Sequence, residues 1–99
     1  MKFVVNWSID QENWLPILER WSSMSAAERA DAGPGVKIIG RWHDMASRTG
    51  VAIIEGTDAA AVTRYICQWN PMMDIIVAPC LDDEESAAAA KAIVDASGG

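Results

Sequence analysis

Four clusters of adjacent β-branched residues, Val4-Val5, Ile38-Ile39, Ile53-Ile54 and Ile75-Ile76-Val77, are spread along the chain. Successive side chains of an extended strand point to opposite faces, so each cluster puts hydrocarbon on both sides of its strand. A sheet with one wetted face alternates apolar with polar residues instead. The clusters therefore call for four strands covered front and back. One such position per strand, four in all, is worth roughly 6–12 kcal/mol when buried.

The segments between the clusters read as helices and turns. Strand one takes residues 2–8, after which Ser8 or Asp10 offers an N-cap and Gln11 stands at capping-box spacing from Ser8. Trp14, Leu15, Ile17, Leu18 and Trp21 form an amphipathic stripe. Pro16 interrupts that stripe, and proline is comfortable only in a helix's first turn, so either the helix starts near Asn13, the reading we favour, or it kinks at Pro16. Ser25-Ala26-Ala27-Glu28 has capping-box spacing for a short helical piece over 25–31, stopped by Gly33-Pro34-Gly35. A strand over 36–45 follows, with Val36, Ile38, Gly40 and Trp42 on one face and Lys37, Ile39, Arg41 and His43 on the other. A turn at 47–50 leads to an antiparallel strand over 51–55. A helix over 59–69 ends at Asn70-Pro71, and a strand over 73–81 carries Pro79, a residue of sheet edges. Asp82 and Glu85 box the start of a last helix, which runs to about Ala96. The order β-α-β-β-α-β with an added helix is the split βαβ pattern of a ferredoxin-like α+β domain, a single one at 99 residues.

Helices on one face of a four-stranded sheet leave the other bare. The simplest cover for an apolar bare face is a second copy, which predicts a two-fold homodimer joined sheet to sheet. A monomer whose last helix folds back over that face is the alternative. A composition of 51% hydrophobic residues, with five tryptophans, suits shared burial.

Charge and cysteine usage narrow the partners. Fourteen acids against eight bases give a net charge of −6, which repels phosphate backbones, so no nucleic-acid partner is expected. Asp10, Glu12 and Asp82 to Glu85 sit at predicted helix starts, where the helix dipole favours them. No apolar run reaches the roughly 18 residues of a membrane span, and the first residues lack a signal peptide's pattern. With only Cys67 and Cys80, far apart, no disulfide framework is expected, and the reading is a cytoplasmic chain with reduced thiols.

Candidate chemistry is sparse. Arg41-Trp42-His43-Asp44 closes strand two with four functional side-chain types, and His43 is the only histidine. Any imidazole base near neutral pH must therefore be His43. Asn6 and Trp7 end strand one, and Trp69-Asn70 closes the second long helix, a wall beside an amide able to orient a ligand. Arg41 or Arg48 is placed to meet an anionic group. Trp14 and Trp21, seven apart, read as core. The bland alternatives are a water-bonded strand-end His43, a core Trp69 and a capping Asn70. One histidine and two scattered cysteines cannot build a zinc site, and Gly33-Pro34-Gly35 is a turn rather than a phosphate cradle, so no metal or cofactor is expected.

The runs KFVVNWSID, GVKIIGRWHD, QWN at 68–70 and CLDDEE together resemble a family of short bacterial proteins catalogued only as a domain of unknown function. The resemblance implies a ferredoxin-like, dimeric α+β barrel and no particular activity. More loosely, the layout is similar to the dimeric α+β barrel superfamily of antibiotic-biosynthesis monooxygenases, haem-degrading monooxygenases and muconolactone isomerases. Their pockets lie between sheet and helices, often lined by the types that Asn6, His43 and Trp69 supply here. Haem-degrading members carry a histidine on the second helix, and 59–69 has none, which argues against haem degradation. Two expectations follow. One is a pocket for a small apolar or aromatic metabolite, monooxygenase-like or isomerase-like, with His43 as base and Trp7, Trp42 and Trp69 as walls. The other is a non-catalytic binding or assembly module.

Overall fold

A computed structural model describes residues 1–98. It contains β1 (Lys2–Ser8), α1 (Gln11–Ser23), α2 (Ala26–Ala30), β2 (Val36–Asp44), β3 (Thr49–Gly56), α3 (Ala59–Ile66), β4 (Asp74–Cys80) and α4 (Asp83–Ser97). The strands form one sheet in the order β2-β3-β1-β4, and every neighbouring pair is antiparallel. Helices α1 and α3 pack on one side, so the architecture is the α+β, ferredoxin-like one that the order of elements implies. Pro79 lies in an edge strand, as its missing N–H requires.

The core gathers where α3 meets the middle of the sheet. Val5, Ala52, Ile54 and Val62 are buried together, and Phe3, Ile38, Tyr65 and Val77 pack around them. Ile54, on a central strand, has no exposed surface at all. The parity of β1 decides what each face shows: Phe3, Val5 and Trp7 point to the helices, whereas Val4 and Asn6 point to the bare side.

Strand β2 departs from simple alternation. Val36 and Ile38 pair with Gly56 and Ile54, but a β-bulge between Ile38 and Gly40 absorbs one residue, and Arg41 and His43 then pair with Ala52 and Gly50. The extra residue reverses the parity, so Val36, Ile38, Arg41 and His43 share the helix-side face while Gly40 and Trp42 look outward. The expected grouping of Arg41 and His43 with Lys37 and Ile39 thus fails at Gly40. Trp42 lies against the outer surface of Gly40, where a Cβ would come 2.5 Å from the ring's Cη2.

Two helix limits also differ from expectation. Helix α1 begins at Gln11 rather than near Asn13 and runs through Pro16, capped by Asp10 without a side-chain hydrogen bond. Pro16 and Glu12 are both exposed, so water can serve the Glu12 carbonyl that Pro16 leaves without a donor. Ser8 stays in β1 and forms no capping box. Helix α3 stops at Ile66, three residues early, in a turn where the Trp69 and Asn70 N–H groups both donate to the Ile66 carbonyl at 3.0 Å. The capping boxes at Ser25/Glu28 and Asp82/Glu85 are both present.

Helix α4 projects from the body. None of its residues is buried, and Ile93 and Val94 are 67% and 66% exposed. Lys2 anchors its start through Asp82 at 3.4 Å and Glu85 at 3.3 Å. The radius of gyration of 16.4 Å exceeds the ~13 Å of a compact chain this size, and the molecule is 56 Å along its longest axis. The bare sheet face is not covered by α4: Ile76 is 72% and Trp42 62% exposed there. No helix is long and apolar enough to cross a membrane among the described residues. Cys67 and Cys80 are both free thiols.

Candidate functional site

A cleft of about 90 Å³ opens between the helix-side face of the sheet and α1, continuing under the turn after α3. Four of the five tryptophans line it: Trp7 from β1, Trp14 and Trp21 from α1, and Trp69 from the turn. Ile9, Ile17 and Ile75 complete an apolar floor, and Arg41, His43, Thr49 and Tyr65 add the polar groups. An apolar concavity with a few converging polar side chains is the usual form of a small-molecule site.

His43 stands between two indoles, its ring centroid 5.6 Å from that of Trp7 and 5.2 Å from that of Trp21. Trp21 in turn meets Trp69 edge-on at 6.2 Å. Trp7 rests on Gly50, whose missing side chain leaves room for the ring: a Cβ there would lie 2.0 Å from Trp7 Cζ2. Desolvation by these neighbours, helped by repulsion from Arg41, holds the His43 pKa below its ordinary 6.5. The imidazole is therefore neutral at pH 7, able to donate one hydrogen bond and accept another.

Arginines gather at the mouth. The Arg41 guanidinium lies 4.8 Å above the Trp21 ring, and its Nη2 donates to the Arg29 carbonyl at 3.0 Å and to Tyr65 Oη at 3.2 Å. Arg20 covers Trp69 at 4.0 Å, and Arg29 lies 5.8 Å from Trp21. These distances fall within cation–π range. Arg29 also donates to the Met24 carbonyl.

Trp7, Arg41, His43 and Trp69 come together in the cleft, whereas the other candidates lie elsewhere. Asn6 and Trp42 face a shallow hollow at the end of the bare sheet face. Arg48 is turned to the backbone: its Nε donates to the Ile9 carbonyl at 3.1 Å, and it holds φ at +56°, unusual for a residue with a Cβ. Asn70 is exposed beside Cys67. Trp14 and Trp21, expected in the core, are half-buried walls of the cleft. Their stripe identifies the inward face of a helix, and nothing in the spacing separates a cavity wall from packed core. Tyr65 and Thr49 carried no sequence signal of their own. Among the described residues no group of His, Cys, Asp and Glu side chains is arranged to hold a metal ion.

Neither a curated protein nor a solved structure matches the chain. One family model does, over residues 1–94, and by that match the chain belongs to the family described as Domain of unknown function (DUF3303).

Proposed function

We propose that this protein binds a small, flat, apolar or aromatic molecule in the tryptophan-lined cleft, and that it works as a homodimer joined through the bare sheet faces. The observation that carries the binding reading is the convergence of four half-buried tryptophans, the only histidine and Arg41 on one concavity. Stable cores close over their aromatic rings, whereas these rings keep one side open toward a shared space. A neutral His43 at the wall can accept a proton from a ligand's hydroxyl or acidic C–H, the first step a monooxygenase-like or isomerase-like reaction would need.

Support for the dimer is the uncovered hydrocarbon. Ile76, Trp42 and Ile39 stand exposed on β4 and β2, and Ile93 and Val94 on α4. Exposed apolar surface of this extent marks interaction sites. The non-catalytic assembly reading rests on the same residues and differs only in leaving the cleft empty.

A library of aromatic fragments screened by ¹⁵N–¹H NMR tests binding. Shifts of the Trp7, Trp21 and Trp69 indole N–H signals by one fragment class are expected, with loss on Trp21→Ala in a variant that still melts cooperatively. Absence of any such shift across the library overturns the binding reading and leaves the assembly module. Light scattering tests the dimer: twice the chain mass is expected for the native protein and one chain mass for Ile76→Asp. A native particle of single mass at 100-micromolar order refutes the pairing.

A further inference from the structure

We infer that the mouth of the cleft is an oxyanion site, so that the ligand is a flat aromatic body carrying one carboxylate, phosphate or sulfate group. This deepens the binding reading above and rests on it. A second, more polar hollow adjoins the cleft and shares Trp21, Arg41, Tyr65 and Trp69 with it. Arg20 and Arg29 also line that hollow, so three of the chain's eight basic residues meet at one place on a protein of net charge −6.

None of the three stands in an ion pair. The ion pairs among the described residues are Lys2–Asp82, Lys2–Glu85 and Lys91–Asp95, and no carboxylate reaches Arg20, Arg29 or Arg41. Two carboxylates do lie at the rim, Glu28 and Asp31. Both are engaged by backbone: Glu28 accepts from the Ser25 N–H at 3.0 Å, and Asp31 from the Gly33 N–H at 2.9 Å. The hollow thus holds three cations and two carboxylates, neither of them within ion-pair distance of an arginine, and a local excess of one positive charge.

The way the arginines are held points the same way. Stacking on an indole engages the face of a guanidinium and leaves its edge to hydrogen bonding. One terminal nitrogen of each is already used, Nη2 of Arg41 by the Arg29 carbonyl and Tyr65, Nη1 of Arg29 by the Met24 carbonyl and Nη1 of Arg20 by Met72 Sδ, which leaves Nε and the other Nη of each for a carboxylate or phosphate. Arg41 is braced by Arg29 and Tyr65 at the junction of the two hollows. A ring seated among Trp7, Trp21 and His43 would carry its charged substituent outward past Arg41, toward Arg20 and Arg29. Hydrogen bonds to a charged group of this kind are worth roughly 1.5–3 kcal/mol each, or about 10- to 100-fold in affinity.

Calorimetric titration with 2-naphthoate, its uncharged analogue 2-naphthamide and inorganic phosphate tests the inference, using the full chain. The expected result is naphthoate binding at least tenfold tighter than naphthamide, weakening with added salt, with phosphate weaker than either. Arg41→Gln should erase the preference for the anion. Arg20→Gln, at an exposed residue that covers Trp69 and makes one exposed contact to Met72 Sδ, should reduce it several-fold with an unchanged melting temperature, which guards against a folding defect in the first variant. Equal affinity for the two naphthyl probes overturns the oxyanion site while the aromatic cleft stands. Phosphate binding as tightly as naphthoate overturns the coupling of charge to ring. No binding of either naphthyl probe counts against cleft and oxyanion site together.

Discussion

Gly50 offers a quantitative test of how the cleft is built. Trp7 lies directly on this glycine, and a Cβ added there would sit 2.0, 2.4 and 2.7 Å from three ring atoms. Restoring ordinary carbon–carbon contact of about 3.5 Å requires the indole to move by about 1.5 Å, into the space it shares with His43. Overpacking of this size costs about 1–3 kcal/mol, and the smaller chain entropy of alanine in the unfolded state returns roughly 0.5–1 kcal/mol. Gly50→Ala should therefore destabilise by about 1 kcal/mol at the middle of these ranges and about 2.5 kcal/mol at most, a fall in melting temperature of roughly 4–8 °C at the middle value for a domain of this length. Gly40→Ala is the matched control. It meets the Trp42 ring at 2.5 Å, but that ring is 62% exposed on the outer face and can swing away, so the change should stay within about 0.5 kcal/mol. Thermal and urea unfolding followed by far-UV circular dichroism read both, and near-UV dichroism reports the movement of Trp7. Equal melting temperatures for the two variants would refute the seating of Trp7 on Gly50.

Two further outcomes bear on the elements around the cleft. Arg48→Gly and Arg48→Ala both remove the bond to the Ile9 carbonyl, but only glycine relieves the φ of +56°, so urea unfolding should find the glycine variant more stable by about 1 kcal/mol; equal stabilities would contradict a left-handed residue there. The depressed pKa of His43 means that the unfolded chain takes up its proton first as pH falls, so this contribution to stability is whole above 6.5 and is lost as pH drops through the folded pKa. His43→Gln should flatten the stability curve in that window while leaving the more acidic losses from Asp82 and Glu28, whose ordinary values are 3.8 and 4.5; parallel curves for the two proteins would sink the assignment.

Strand count, the succession of elements along the chain and the two-sided apolar character were legible because β-branched clusters bounded by turn residues have few other solutions. The β2–β3 hairpin was legible for the same reason. The parity of β2 was not. Two isoleucines followed by glycine fit either register, and only pairing with Ile53 and Ile54 decides that Ile39 is the residue left out. Gly40 was the available hint, since a glycine inside a strand often accompanies a bulge. That one residue determines whether Arg41 and His43 share a face with Trp7, so site prediction turned on it. Helix α1 resisted for a different reason: the penalty for Pro16 presumes a buried carbonyl, and whether Glu12 is wet depends on the tertiary fold. Trp69 was read as the last residue of a helix. The chain instead leaves the helix at Ile66, and the ring that closes the cleft is carried by the turn.

The outermost strands, β2 and β4, share a property with consequences beyond the cleft. The bulge puts β2 out of step at Ile39, and Pro79 removes a donor from β4, so neither margin offers an incoming strand an unbroken ladder. Lateral growth of the sheet into a ribbon or fibre is disfavoured at both ends. Copies of this chain that meet at high concentration therefore find no continuous edge to extend strand by strand, and the flat apolar face is the surface left for them to share.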